Sequence, residues 1–394
     1  MTFAPLWSAG VETRLRAEAR NLDRQERPAH VQQCVRCVMT NQRPRVVFDE
    51  EGVCSACRYA ERKRNGIDWN ARGRELQELL EVAKRTPGPY DVIVPCSGGK
   101  DSASVAWRLK HEHGMTPLCV TWAPFIYTEV GRRNFDNFVQ SGFDVIVAYP
   151  NGLIHRKLAR LALEFYGDPF IPFIYGQLAW PMNAAVRFHV PLVMFGENGE
   201  AEYGGDPAAN DKLCWSEADW ERVYMKGAGL DRLLEIGLRL GCITDADVTQ
   251  LSPFYRLPPQ REMHALGVQF HWFGYYRPWR PQANYYLACE HTNFEANDEG
   301  RSQGTYSKYA SLDDKLDGLH YYFGYLKFGI GRATSDAAHE VRDGEIHREE
   351  ALALVARFDG EFPERHLDEC MDYLGMDQSH LGMVIERFRE RMTA

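Results

Sequence analysis

Between residues 91 and 197 the chain alternates short, unbroken apolar runs with stretches whose apolar residues return every three or four positions. The runs DVIVPC (91–96), PLCVTWA (117–123), FDVIVAY (143–149) and PLVMFGE (191–197) read as strands buried on both faces. The stretches between them, through about 113, near 130–141, across 153–166 and over 175–187, read as helices. Strands and helices in this order make parallel βαβ units. The pattern therefore predicts an α/β fold with a doubly wound parallel sheet and right-handed crossovers.

Outside this block the pattern changes. Residues 11–27 (VETRLRAEARNLDRQER) predict a charged, solvated helix that Pro28 ends, and Leu76, Leu79, Leu80 and Ala83 mark a helix over 69–84. The run TPGP at 86–89 breaks any helix and is the best boundary in the chain. Beyond Gly204 the pattern loosens into helices and loops rich in proline and aromatic residues, such as FHWFGYYRPWRP (270–281), and from about 348 it reads as short amphipathic helices. The expected division is an N-terminal helical extension (1–30), a cysteine-rich segment with a linker helix (31–88), a catalytic α/β domain with insertions (89–347) and C-terminal helices (348–394).

Composition narrows the class. With 394 residues, 44% hydrophobic and 26% charged, the chain has the balance of a globular protein and the length of more than one ordinary domain. A net charge of −9 argues against wrapping a long nucleic acid. The first 75 residues carry a local excess of +4, which leaves a local RNA contact open. No apolar run is long enough for a membrane span, and no secretory leader precedes the first elements, so the expected location is the cytoplasm. The ten cysteines are then thiols or metal ligands rather than disulfides.

Four of them have metal-site spacing. Cys34-x2-Cys37 and Cys54-x2-Cys57 are separated by sixteen residues, the pattern of a four-thiolate zinc ribbon. Four thiolates leave no open position, so the expected Zn2+ is structural. Cysteine count alone leaves an iron–sulfur cluster open.

The strongest chemical signal is VPCSGGKDS (94–102), where a buried strand gives way to a helix. Ligands of open α/β sheets bind beyond the carboxyl ends of strands, and a helix N-terminus offers unpaired N–H groups to an anion. Gly98 and Gly99 let the backbone approach a phosphate, Ser97 and Ser102 add hydroxyls, and Lys100 supplies a positive charge. Asp101 orients a donor or helps to hold Mg2+. The loop is not a Walker A motif, because the upstream glycine is absent and an aspartate follows the lysine.

Further residues have two readings each. Glu197, Asn198, Glu200 and Glu202 follow a strand and are expected to face the same crevice, Glu197 and Asn198 contacting nucleotide or substrate unless they belong to a solvated turn. Lys327 and Arg332 are candidate catalytic cations for pyrophosphate, or serve helix dipoles. Asp313 and Asp314 bind Mg2+ or sugar hydroxyls, or cap a helix. Thr121 and Trp122 end the second strand, a position at which related folds place adenine against backbone groups. Trp272, Tyr275, Tyr276 and Trp279 stack on a ring or belong to the core. Gly329 and Gly331 lack the third glycine of a dinucleotide fingerprint.

The string SGGKDS resembles the PP-loop of the ATP pyrophosphatases, whose domains are of the adenine nucleotide alpha hydrolase type. Together with CVRCVMTNQRPRVVFDEEGVCSAC (34–57), FGENGEAEYGG (195–205), YYRPW (275–279) and the long block 304–346, it makes the chain similar to the N-acetyl sugar amidotransferases of bacterial surface-sugar biosynthesis, those of pseudaminic, legionaminic and lipopolysaccharide sugars. The resemblance spans roughly residues 31–350. It implies that ATP adenylates an acetamido oxygen with release of pyrophosphate and that ammonia then displaces AMP to leave an acetamidino sugar. No glutaminase signature is present, so the resemblance also implies partners: a glutaminase and a cyclase-like subunit that deliver ammonia. The competing reading is a tRNA-thiolating enzyme, which would carry a further cysteine pair and a basic surface. Here the other six cysteines are scattered and the body after residue 75 is acidic.

Overall fold

All four apolar runs form strands: β1 (Val92–Pro95), β2 (Pro117–Trp122), β3 (Asp144–Ala148) and β4 (Leu192–Phe195). A fifth, β5 (Gln269–Trp272), joins them in a parallel sheet of order β3-β2-β1-β4-β5. The computed structural model describes residues 3–19, 28–214, 219 and 229–389. The sequence reading placed β5 in an aromatic loop. Its four residues are too few for a period to show, and pairing of Leu192–Phe195 with Gln269–Trp272 defines the strand.

Side-chain alternation divides the strands between two cores. Ile93, Val120, Trp122, Val193 and Trp272 enter one, shared with α6 (Gly152–Tyr166) and α7 (Ile171–Phe188). Val92, Val94, Cys119, Leu192 and Met194 enter the other, shared with α3 (Trp69–Ala83), α4 (Lys100–His111) and α5 (Glu129–Gln140). Each fully buried side chain of this kind contributes about 1.5–3 kcal/mol, so the sheet is held from both sides. The chain builds β1 to β3 in one direction and then adds β4 and β5 beyond β1. The crevice at the carboxyl ends of β1 and β4 is thus a topological switch point.

The first core continues into the two ends of the chain. Leu15 of α1 (Ala9–Glu18) and Leu381, Val384 and Phe388 of the last helix are buried with α6. The predicted charged helix ends at Glu18, and its part over 20–27 lies outside the described residues. Buried ions in this layer are paired: Glu164 accepts from Arg160 at 2.9 Å and contacts His380 at 2.5 Å. Losing one member of such a set costs far more than a surface pair does. Among the described residues no helix is long and apolar enough to cross a membrane.

Eight further helices matter for the site: α2 (Ser55–Asn65), α8 (Gly199–Tyr203), α9 (Leu230–Leu240), α10 (Pro281–Thr292), α11 (Asp317–Phe328), α12 (Arg332–Asp343), α13 (Arg348–Phe358) and α14 (Leu367–Leu374). The cysteine-rich segment docks on two of these. Its buried residues share a third core with Ile330, Ala337 and Ala338 of the α12 region and Ala351 of α13.

Candidate functional site

At the end of β1 the chain turns through Ser97, Gly98 and Gly99 into α4. The two glycines have different tasks. Gly98 has φ +82, and a Cβ there would lie 2.6 Å from the Cα of Phe135 on α5, so both conformation and packing exclude a side chain. Gly99 has ordinary backbone angles, and a Cβ there would meet only Ser97 Oγ, at 3.3 Å. Its open side faces a cavity. No side chain caps α4 at Gly99, so the first-turn N–H groups are directed at that cavity.

The cavity encloses about 400 Å3, and its lining includes Ser97, Gly98, Gly99, Lys100, Asp101, Ser102, Glu197, Asp313 and Arg332. These nine residues, singled out from four separate stretches of sequence, therefore converge on it. Lys100 is 8% exposed, pairs with Asp101 and lies 5.0 Å from the centre of the Tyr309 ring. Asp101 is fixed from α10: Asn284 donates to it at 2.9 Å, and Ser104 donates to Asn284 at 3.1 Å. On the far wall Arg332 donates to the Tyr321 hydroxyl at 2.5 Å and pairs with Asp336 at 2.9 Å.

Three carboxylates of this region, Glu197, Asp313 and Asp314, are shifted toward neutrality. Burial pushes half-buried Glu197 up to about 7, with the charge of Asp101 adding to the effect. Burial also raises Asp313. Asp314 is pushed up to about 7 by burial, although its oxygens accept from the backbone N–H groups of Leu316 at 2.9 Å and Phe125 at 2.5 Å. Asp314 is thus tied into the fold, whereas Asp313 lines the cavity.

A neighbouring cavity of about 310 Å3 shares Ser97, Ser102, Gln177 and Asp313 with the first. Thr121 and Trp122 line it together with Phe170, Phe173 and Trp180, giving it aromatic walls. The Thr121 hydroxyl is spent on the carbonyl of Cys96. Trp122 is also a core residue: a Cβ on Gly176 would fall 2.0 Å from its ring.

Several expected residues are turned elsewhere. Asn198 caps α8 and donates to the carbonyl of Ala209 at 3.0 Å, so both ends of its amide serve the turn. Glu200 takes a forked pair from Arg45 at 2.9 and 2.6 Å, and Glu202 binds Lys63 at 2.5 Å. Only Glu197 of that group faces the crevice; α8 rotates the other carboxylates toward the cysteine-rich segment. Lys327 lines a different cavity and donates to the carbonyl of Tyr166 at 3.0 Å. Trp272 borders the first cavity, but Tyr275 stacks under Arg72, Tyr276 binds His271 at 2.7 Å, and Trp279 is buried against Gly196. Gly329 has φ +69 at the end of α11, and a Cβ on Gly331 would fall 2.5 Å from Asp359, so chain geometry accounts for both.

Cys34, Cys37, Cys54 and Cys57 are buried, with their sulfurs within 4.8 Å of one another. The separations Cys34–Cys57 of 3.8 Å and Cys37–Cys54 of 3.7 Å match the edge of a tetrahedron with metal–sulfur bonds of about 2.3 Å, far beyond a disulfide of about 2.05 Å. Backbone N–H groups of Arg36, Met39 and Cys54 point at these sulfurs at 3.3–3.4 Å, the support expected for thiolates. The donor set fits a metal such as zinc.

The sequence reading missed Asn134, Gln177, Asn284 and Tyr309, all now in or beside the cavity. Asn134, Gln177 and Asn284 are lone polar residues on helices without a motif, and Tyr309 lies within the block 304–346 with nothing local to single it out. With the geometry in place, comparison with known proteins adds one finding. Residues 303–393 match a family model described as LPS biosynthesis protein WbpG-like, C-terminal domain. No curated protein matches the chain. The match supports a lipopolysaccharide-biosynthesis family, and the matched stretch supplies Tyr309, Asp313 and Arg332 to the cavity.

Proposed function

We propose that this chain is an ATP-dependent, AMP-forming amidotransferase that turns the acetamido group of an N-acetyl sugar into an acetamidino group during lipopolysaccharide or related surface-glycan synthesis. The observation that carries the reading is the convergence of the Ser97–Ser102 turn, the N-terminus of α4, Lys100 and Arg332 on one cavity at the sheet's switch point. A PP-loop ATP pyrophosphatase domain is the fold this reading assigns.

In this reading the aromatic-walled cavity takes adenine and the polar one takes the phosphates. The amide oxygen attacks the α-phosphorus, the bond to the bridging oxygen of pyrophosphate breaks, and an O-adenylated imidate remains. The first-turn N–H groups, Lys100 and Arg332 meet the negative charge that gathers on pyrophosphate. Asp101 and Asp313 would hold Mg2+, which neutralises phosphate oxygens when bound. Ammonia then adds to the imidate carbon and AMP leaves with the former amide oxygen. Glu197, titrating near 7, stands in the same cavity to take a proton from the entering nitrogen. A glutaminase and a cyclase-like subunit would supply ammonia. The cysteine site would hold structural zinc.

A thiolating enzyme is less well supported, because the thiols outside the knot do not gather at the cavity mouth. Cys96, just past β1, borders the aromatic-walled cavity without a second cysteine in its lining, Cys119 lies in β2, Cys242 and Cys370 are buried among helices, Cys289 is half-buried on α10 and Cys214 is exposed. The test is to supply ATP, Mg2+, ammonium and a panel of N-acetyl sugars, then assay AMP, pyrophosphate and the mass of the sugar. AMP formation coupled to an acetamidino product is expected; ADP as the product would overturn the reading.

A further inference from the structure

Lys327 belongs to a third cavity, of about 290 Å3, which shares His320 and Tyr321 with the aromatic-walled one. Two distant parts of the chain build it. The loop between the cysteine pairs contributes Arg43 and Arg45, and the α11–α12 region contributes Lys327 and Ser335. The loop and the end of α11 approach closely, since a Cβ on Gly329 would fall 2.6 Å from Gln42 Nε2.

The charges in this cavity are unevenly matched. Arg43 makes no ion pair among the described residues and donates its Nε to the neutral carbonyl of Gly204 at 2.6 Å. Burial, reinforced by Arg342 and Arg45, depresses its guanidinium to about 10 even with Glu200 nearby. Arg45 is held at φ 67, a region non-glycine residues rarely occupy, by its forked pair with Glu200. Such strain persists only where the surroundings enforce it. Asp168, the carboxylate of the lining, is already engaged by His320 at 2.7 Å and by the N–H of Phe170 at 3.0 Å. Arg43 is half-buried and its one hydrogen bond here goes to a neutral carbonyl, so its charge is only partly matched by nearby Glu200, and a guanidinium fork fits a phosphate or a carboxylate.

We propose that this cavity is the subsite for an anionic group of the sugar substrate, a diphosphate or a carboxylate on the molecule whose acetamido group reaches the cavity beside Gly99. The assignment rests on the amidotransferase reading. It gives the cysteine knot a direct part in substrate choice, because the knot is what carries Arg43 and Arg45 to the sheet.

The test uses the full-length, metal-loaded protein saturated with α,β-methylene ATP, so that no probe can occupy the nucleotide site. Affinities are measured by calorimetry for neutral N-acetylglucosamine, UDP-N-acetylglucosamine and N-acetylneuraminic acid. One anionic probe is expected to bind at least about tenfold tighter than the neutral sugar. An advantage for the first anion assigns a diphosphate and one for the second a carboxylate. Arg43→Met should bring that probe down to the level of the neutral sugar while ATP affinity stays within about twofold. Should loss of the Gly204 contact unfold that variant in a thermal melt, Ser335→Asp places a carboxylate in the same cavity and should cause the same loss. Equal binding of all three probes, or an advantage that survives in the folded variants, overturns the proposal. Failure of the amidotransferase reading looks different: no AMP forms with any sugar, whatever the binding preference.

Discussion

The cysteine knot and the glycine turn occupy opposite ends of α12, and they depend on their surroundings in different ways. The knot is largely local: four sulfurs and the backbone N–H groups aimed at them come from residues 34–57, and from farther along the chain the Arg342 guanidinium donates to Cys37 Sγ at 4.0 Å. The turn is local only in its backbone. Asp101 is fixed by Asn284 far along the chain, the opposing cation is Arg332, and Phe135 decides what Gly98 can be. Between them α12 packs Ala337 and Ala338 on the knot while Arg332, at its first turn, reaches the cavity. Arg342, near its other end, donates to the carbonyl of Glu202 at 2.8 Å. A metal site can thus be complete in sequence and still serve a distant cavity by holding one helix.

Four experiments break or sharpen this contrast. The largest effect is expected for Lys100→Ala, which should lower turnover by about a thousandfold or more with metal content and melting temperature unchanged; retained activity would remove Lys100 from the chemistry. Next, Cys34→Ser should release the metal and destabilise the protein by at least about 3 kcal/mol, since binding energy at such a site is folding energy. Metal analysis with a thermal melt checks it, and a metal-free variant of full stability would refute the structural role.

The two adjacent glycines give a sharper comparison. Gly98→Ala should cost about 2–4 kcal/mol, because the added carbon strikes the Phe135 backbone in an unfavourable φ region. Gly99→Ala should leave stability within about 0.5 kcal/mol yet weaken ATP binding, as its methyl group enters the cavity. Equal effects of the two changes on both readouts would show that they share one task.

The smallest effect concerns pH. Glu197 and Asp314 have folded-state values near 7, above their unfolded values, so the native state binds more protons than the unfolded chain between about pH 4 and 7. The share of stability contributed by these two groups should therefore fall as pH rises through that window and level off above it, against an opposing rise from buried His155 and His271, lowered to about 3 and about 4. Glu197→Gln and Asp314→Asn should each remove one such falling share from the slope measured by chemical denaturation. An unchanged slope in both would show that neither carboxyl group is held near neutrality by the fold.

Much of this was legible beforehand. The α/β class, four of the five strands and the cysteine set follow from apolar periodicity and C-x-x-C spacing, and Ser97 through Ser102, Glu197 and Arg332, all singled out in the sequence, line one cavity. The failures share one cause. Asn198, Glu200 and Glu202 follow a strand just as Glu197 does, but the short helix α8 turns them away from the crevice, and nothing in their spacing shows that rotation. Lys327 and Arg332 are close in sequence, yet Gly329 and Gly331 reverse the chain between them, so the two cations enter different cavities.

By itself the sequence determined what depends on neighbours along the chain: strand and helix periods, the turn into α4 and a tetrahedral set of thiols. Tertiary structure alone decided what depends on meeting across space. It set β5 against β4, brought Asn284 to Asp101 and placed Arg43 in one cavity with Lys327. The physical reason is range: backbone preference acts over a few residues, whereas a cavity is defined by side chains that only packing brings together.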